Sequence, residues 1–172
     1  MKKIYAPWRH KYVSGTVHIE NEKKKKNKKD CVFCSQFAEN NDEKYFIIKR
    51  FDNCALVMNL YPYNAGHLMV IPFEHKPDFQ DFSSKVRNEM MDVVNSGIKI
   101  VQNVLKPQGF NVGFNTGIAG GGGIPSHFHI HIIPRWSGDT NFLATIGETK
   151  VICSDFNDLY KQFKSEIEKI TI

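Results

Sequence analysis

The sequence predicts an α+β domain, a five-stranded antiparallel sheet carrying two main helices. Three observations lead to that class. Three strand-like runs follow one another between residues 45 and 72 with only turns between them, so neighbouring strands must reverse direction. A long apolar stripe at helical period comes next. A strictly alternating run at 127–134 and a last amphipathic segment complete the order. With 172 residues, 41% of them hydrophobic, the chain suits one core, so residues 1–172 are read as a single domain.

The elements follow in chain order. Residues 1–20 mix aromatics with a Pro and two His and read as an ordered N-terminal arm. Residues 21–30 form a lysine-rich loop. YFIIKRF (45–51) and CALVMNL (54–60) are β-branched and aromatic runs joined at Asp52-Asn53, a tight turn. YPYNAG (61–66) is turn chemistry, and HLMVIP (67–72) is a strand that stops at Pro72. Val86, Met90, Val93, Val94, Val101, Val104 and Leu105 step by three and four along one helix face. Ser83 or Ser84 caps its start, Pro107 and Gly109 end it, and Gly97 inside the stripe permits close packing. FNVGFN (110–115) alternates as a fourth strand, and the glycine-rich stretch 116–126 reads as irregular. HFHIHIIP (127–134) is the fifth strand. The last helix opens near Ser154 with Phe156, Leu159, Phe163, Ile167 and Ile170 on one face.

Charge and composition exclude several functions. The net charge of +5 is local, because EKKKKNKK (22–29) alone carries it and the rest of the chain sums to zero. A domain-wide nucleic-acid footprint is therefore not expected, and the run has no interleaved aromatics on which bases could stack. It reads as a solvated loop. No apolar run approaches the roughly 18 residues of a membrane span. The basic N-terminus has no apolar stretch behind it, so no cleaved signal is expected and the expected compartment is the cytoplasm, with reduced thiols.

The chemistry is concentrated in His127-Phe128-His129-Ile130-His131. In a strand, alternate side chains share a face, so three imidazoles project one way and Phe128, Ile130 and Ile132 enter the core. Imidazole is a poor core filler without partners. Two uses remain open: metal ligation, or a nucleophilic His whose neighbours hold an anion. Gly120–Gly123, just before the strand, leaves N–H groups bare for a phosphate. Cys31-Val32-Phe33-Cys34 has the spacing of half a zinc site. His75 and His127 are the best candidates for the other two ligands. A redox pair is the rival reading, weakened because the motif follows a lysine loop and lacks a strand-to-helix setting.

These residues resemble the histidine triad (HIT) family of nucleotidyl hydrolases and transferases. The resemblance rests on CVFC, NLYPYNAGHLMVIP, NVGFN and HFHIHIIPRW. The segments PWRHKY and RWSGDTNFLATIGETKVI extend it to the bacterial diadenosine tetraphosphate phosphorylase branch. It implies a HIT fold, a homodimer, and nucleotidyl transfer on dinucleoside polyphosphates through a covalent nucleotidyl-histidine. It implies His129 as nucleophile, with Nδ1–H on a backbone carbonyl, and His131 and His67 at the phosphate. Asn59 would grip the ribose, Leu60 and Phe33 the base, and Asn115, Gly122 and Gly123 the phosphate side, while Trp136 would wall the site against water. Inorganic phosphate or water would be the acceptor, with phosphate favoured. A structural zinc would sit on Cys31, Cys34, His75 and His127. Many family members carry a Gly-Gln-Ser or similar polar triplet where this chain has Gly122-Gly123-Ile124. Three rivals remain: a dinucleoside polyphosphate or nucleoside phosphoramidate hydrolase of the same family, a zinc hydrolase with all three His on the metal, and a nucleotide- or RNA-binding protein without turnover that uses residues 22–29.

Overall fold

A computed structural model describes residues 31–121, 123–140, 146–147, 152 and 154–170. The N-terminal arm, the lysine-rich loop and Gly122 lie outside the described residues.

The strands are β1 (Ile47–Arg50), β2 (Cys54–Met58), β3 (Leu68–Pro72), β4 (Gly109–Gly113) and β5 (Ile130–Arg135). They form one antiparallel sheet in the order β1-β2-β3-β5-β4. The helices are α1 (Val32–Ala38), α2 (Ser84–Leu105) and α3 (Phe156–Ile167). The α+β class and the five-stranded antiparallel sheet are as the sequence predicts, with the short α1 added to the two main helices.

Local chemistry sets the boundaries. Phe51 N–H donates to the Cys54 carbonyl across the Asp52-Asn53 turn, closing the β1–β2 hairpin. Ser83 Oγ accepts from Val86 N–H and caps α2. At the other end Lys106 turns left-handed (φ 49°) before Pro107 and stops the helix. Asp155 caps α3 by accepting from Asp158 N–H.

The sheet buries both faces. Leu56, Leu68, Val70, Phe128, Ile130 and Ile132 meet the stripe of α2 and Phe163 and Ile167 of α3. On the other face Ala55, Val57, Met69 and Ile71 pack with Cys31 and Phe33 of the α1 segment. Gly97 lets α2 approach the sheet. A Cβ there would lie 2.7 Å from Ile132 Cδ1 and 3.2 Å from Leu56 Cδ1. Ile132 Cδ1 is the end of a rotatable side chain, so Gly97→Ala should be nearly neutral, the strain being set against better helix propensity. Gly97→Val has no such escape and should cost about 1–3 kcal/mol by overpacking. Urea unfolding of both variants checks this; equal stabilities would show that the helix does not sit this close.

Three boundaries differ from the sequence reading. Strand β5 starts at Ile130, not His127: its pairing with β3 stops at Val70↔Ile130, and β4 ends at Gly113, opposite His131. Residues 127–129 run on past the end of β4, and Phe128 N–H donates to the Lys76 carbonyl rather than into the ladder. The glycine-rich stretch is not wholly irregular, since Ile118–Gly120 forms one 3₁₀ turn, a length that needs no long regular run. Helix α1 starts directly at the Cys pair, with Cys31 as its N-cap, so that motif does open a helix.

Candidate active site and metal centre

Two clusters of side chains meet along residues 127–131. The first joins Cys31 and Cys34, one turn apart on α1, to His75 beyond β3 and to His127. One ligand atom from each lies within 4.8 Å of all the others. Cys31 Sγ is 3.2 Å and Cys34 Sγ 3.6 Å from His127 Nδ1, and Cys34 Sγ is 3.4 Å from His75 Nδ1. The two Nδ1 atoms are 3.3 Å apart. A tetrahedron with ordinary Zn–S and Zn–N bonds has S···N edges of about 3.6 Å and N···N edges of about 3.3 Å. His127 Nε2–H donates to the Pro72 carbonyl at 2.8 Å, which leaves the Nδ1 lone pair facing the sulfurs. The residues fit a closed S₂N₂ metal site.

The second cluster holds His129, His131 and His67. Its tautomers follow from backbone groups whose roles are fixed. His129 Nδ1 lies 2.9 Å from the His127 carbonyl, which can only accept, so Nδ1 carries the proton and Nε2 keeps its lone pair. Tyr63 N–H can only donate, and it donates to His67 Nδ1 at 3.1 Å. His67 Nε2 therefore carries a proton and donates to His131 Nδ1 at 2.9 Å. His131 is left with Nε2–H, a donor, next to the lone pair of His129. The rings of His129 and His131 stand edge to face, with centroids 4.8 Å apart.

Burial decides their charge. Desolvation, then the neighbouring imidazoles, push His67 down to about 3. The same causes push His131 down to about 4, and burial lowers His129 against the help of the His127 carbonyl. All three are neutral at neutral pH. The unfolded chain binds protons at these positions below about 6.5, whereas the folded chain refuses them until far lower pH. Stability is thus full above 6.5 and falls on acidification, by about 1.4 kcal/mol per pH unit for each such group. Replacing His67 by Gln should shrink the loss between about pH 6.5 and about pH 5 by about 1–2 kcal/mol in paired urea titrations. An unchanged pH slope would contradict the burial argument.

The other predicted residues are placed unequally. Phe33 is buried edge-on against His127 and His129, with centroids 5.5 and 5.3 Å away. Asn59 Nδ2 is 3.4 Å from His67 Nδ1, and its Oδ1 accepts from Tyr61 N–H. Leu60 is exposed at the end of β2. Asn115 is exposed and backs Gly120, where a Cβ would touch its backbone, and Gly123 is exposed in the same loop. Trp136 stands apart, because β5 begins after His129 and ends before Trp136, so the two residues occupy opposite ends of that strand. Tyr63 was not foreseen. Its half-exposed ring leans on His67 and His131, with centroids 4.7 and 5.8 Å away. Its segment reads only as turn chemistry, and nothing in YPYNAG signals the second task.

Comparison with known proteins places this arrangement. The HIT domain family matches residues 40–138, which include all three imidazoles of the second cluster. The chain belongs to the HIT family. It is 37% identical over 132 residues to the AP-4-A phosphorylase of Mycobacterium tuberculosis, covering 77% of this chain and 68% of that one, so the predicted branch and the reading as an HIT-family enzyme stand. The asymmetrical bis(5'-nucleosyl)-tetraphosphatase of Schizosaccharomyces pombe is 31% identical over 85 residues, 49% of this chain and 46% of that one. Among solved structures, the Zn-bound histidine triad family protein of Mycobacterium smegmatis shares the fold at a TM-score of 0.68 and 22% identity. That match covers 83% of this HIT chain and 96% of the other. No helix among the described residues is long and apolar enough to cross a membrane.

Proposed function

We propose that this HIT enzyme transfers a nucleotidyl group from a dinucleoside polyphosphate to inorganic phosphate through a covalent intermediate on His129. The observation that carries the proposal is the pair of tautomers: a lone pair on His129 Nε2 beside an N–H on His131. His129 Nε2 attacks the α-phosphorus, forming a P–N bond as the P–O bond to the departing nucleotide breaks. The His127 carbonyl holds the Nδ1 proton and steadies the imidazolium that forms. His131 Nε2–H donates to a non-bridging oxygen as charge gathers there. Phosphate oxygen then attacks the same phosphorus, the P–N bond breaks, and His129 returns neutral. Asn59, whose Nδ2 lies 3.4 Å from His67 Nδ1, would grip the ribose, and the glycine-rich loop before His127 would offer N–H groups to the phosphates.

Zinc would sit on Cys31, Cys34, His75 and His127 and act structurally, because four protein ligands leave it no open position. It would tie α1, and with it Phe33, to the end of β5. The exposed edge of β4, with Val112 and Phe114 exposed there, supports a homodimer, which light scattering of the purified chain decides.

Phosphorolysis is preferred to hydrolysis on the name of the M. tuberculosis relative and on the bare glycine backbone. The S. pombe relative, named a tetraphosphatase, supports the second reading. Product analysis separates them. Diadenosine tetraphosphate should give ADP and ATP at a rate that depends on added phosphate. AMP and ATP, at a rate indifferent to phosphate, would make the enzyme a hydrolase while leaving the His129 steps intact.

A further inference from the structure

The carboxylate of Asp139 lies outside both clusters, yet it gathers more donors than a surface acid needs. Its side chain is 8% exposed. Oδ2 accepts from Arg135 Nε at 2.6 Å, Asn64 Nδ2 at 2.8 Å and Trp136 N–H at 3.2 Å. Oδ1 accepts from the other arm of Arg135 at 2.9 Å and from Thr140 Oγ1 at 3.3 Å. The Arg135 guanidinium holds the carboxyl well below the usual carboxylate range, so the acceptor stays ionised.

Asn64 is the partner that matters. It is buried, and its Nδ2 is shared between Asp139 and the Pro134 carbonyl at 2.8 Å. Its own carbonyl accepts from His67 N–H at 3.2 Å. The residue before it, Tyr63, supplies the N–H that makes His67 Nδ1 an acceptor. The turn closes at Gly66, which is left-handed (φ 74°) and where a Cβ would lie 2.5 Å from Leu105 Cδ1, so glycine closes the turn on one side and Asn64 fixes it on the other. Moving Asn64 moves the adjacent N–H, and with it the direction in which His67 donates to His131.

We infer that Asp139 is a positioning residue: through Asn64 it holds the 61–66 turn so that His67 donates to His131 and leaves the His131 Nε2–H pointing outward. In the free protein, this inference concerns only the tautomers. Its effect on turnover rests on the function proposed above.

The test is long-range ¹H–¹⁵N NMR of the imidazoles in the free protein, with kinetics on diadenosine tetraphosphate beside it. The wild type should show His67 with a pyridine-type Nδ1. In Asp139→Asn, which keeps the size of the side chain, the two His67 nitrogens should shift toward averaged tautomers while His75 stays put. kcat should fall roughly tenfold with KM nearly unchanged. Asn64→Ala should act alike, and the double variant should add little, because the two act in one chain. Asn111→Ala removes the other Arg135 contact (NH1 to Asn111 Oδ1, 2.6 Å) and should leave the His67 signals alone. Unchanged His67 signals in Asp139→Asn, or fully additive effects of the two substitutions, would overturn the inference. If the wild type turns over no dinucleoside polyphosphate, the proposed function fails and the NMR result alone decides the role of Asp139.

Discussion

Replacing His129 with alanine should lower turnover by several orders of magnitude and leave the fold in place. The reason is the nature of the step removed. Of His67, His129 and His131, His129 alone presents a lone pair on a ring held from behind by a backbone carbonyl. Without it, water or phosphate must attack the substrate directly. The loss should fall on kcat, since the substrate contacts proposed for Asn59 and the glycine loop do not involve the His129 ring. His131→Ala removes one donor rather than the covalent step and should cost less, about 2–4 kcal/mol of transition-state stabilisation. Structure is not expected to fail with either change, because both rings sit on the α1 face of the sheet while the main core is built from the opposite face. Steady-state kinetics with unfolding controls decide it. A His129→Ala enzyme within tenfold of wild type would end the nucleophile assignment.

Loss of one cysteine ligand should act in the opposite order, on stability first and on activity second. Cys31 stands at the N-cap position of α1 and is buried, and its sulfur faces His127. Protein purified without chelators should hold one zinc per chain, and Cys31→Ser should hold far less. Metal bound at a hundred times its Kd contributes about 2.7 kcal/mol, so the variant should unfold at clearly lower urea, and chelator should bring the wild type toward it. Activity should fall as α1 loosens, because Phe33 packs on both His127 and His129. Elemental analysis near zero for the wild type, with stability indifferent to chelator, would refute the metal centre.

Much of this was legible in the residues. Alternation in HFHIHII put the apolar side chains in the core and the imidazoles on the other face even though regular pairing starts only at Ile130, because alternation is a property of extended backbone and does not require a partner strand. The C-x-x-C spacing and two distant His were enough to name four side chains that the fold brings together. Helix α1 was not legible. Its seven residues are too few for a periodic stripe, and its order comes from the buried ring of Phe33 and the cluster around Cys31. The roles of Tyr63, Asn64 and Asp139 were hidden for a different reason. Each acts through a backbone group or one shared carboxylate, and neither leaves a spacing pattern. Trp136 is a case where resemblance and geometry say different amounts: β5 is extended, so a residue close in sequence to the triad lies at the other end of the strand from His129.

The central claim is a covalent nucleotidyl group on His129, and rapid acid-free quenching of the enzyme mixed with diadenosine tetraphosphate tests it most directly. With phosphate withheld, the intermediate should accumulate. Peptide mapping by mass spectrometry should then find one adenylyl group on the peptide holding residues 127–131, localised to His129, lost on mild acid treatment and discharged as ADP when phosphate is added. An enzyme that turns over the dinucleotide under the same conditions with no adduct, or with the adduct on a residue other than His129, would contradict the account.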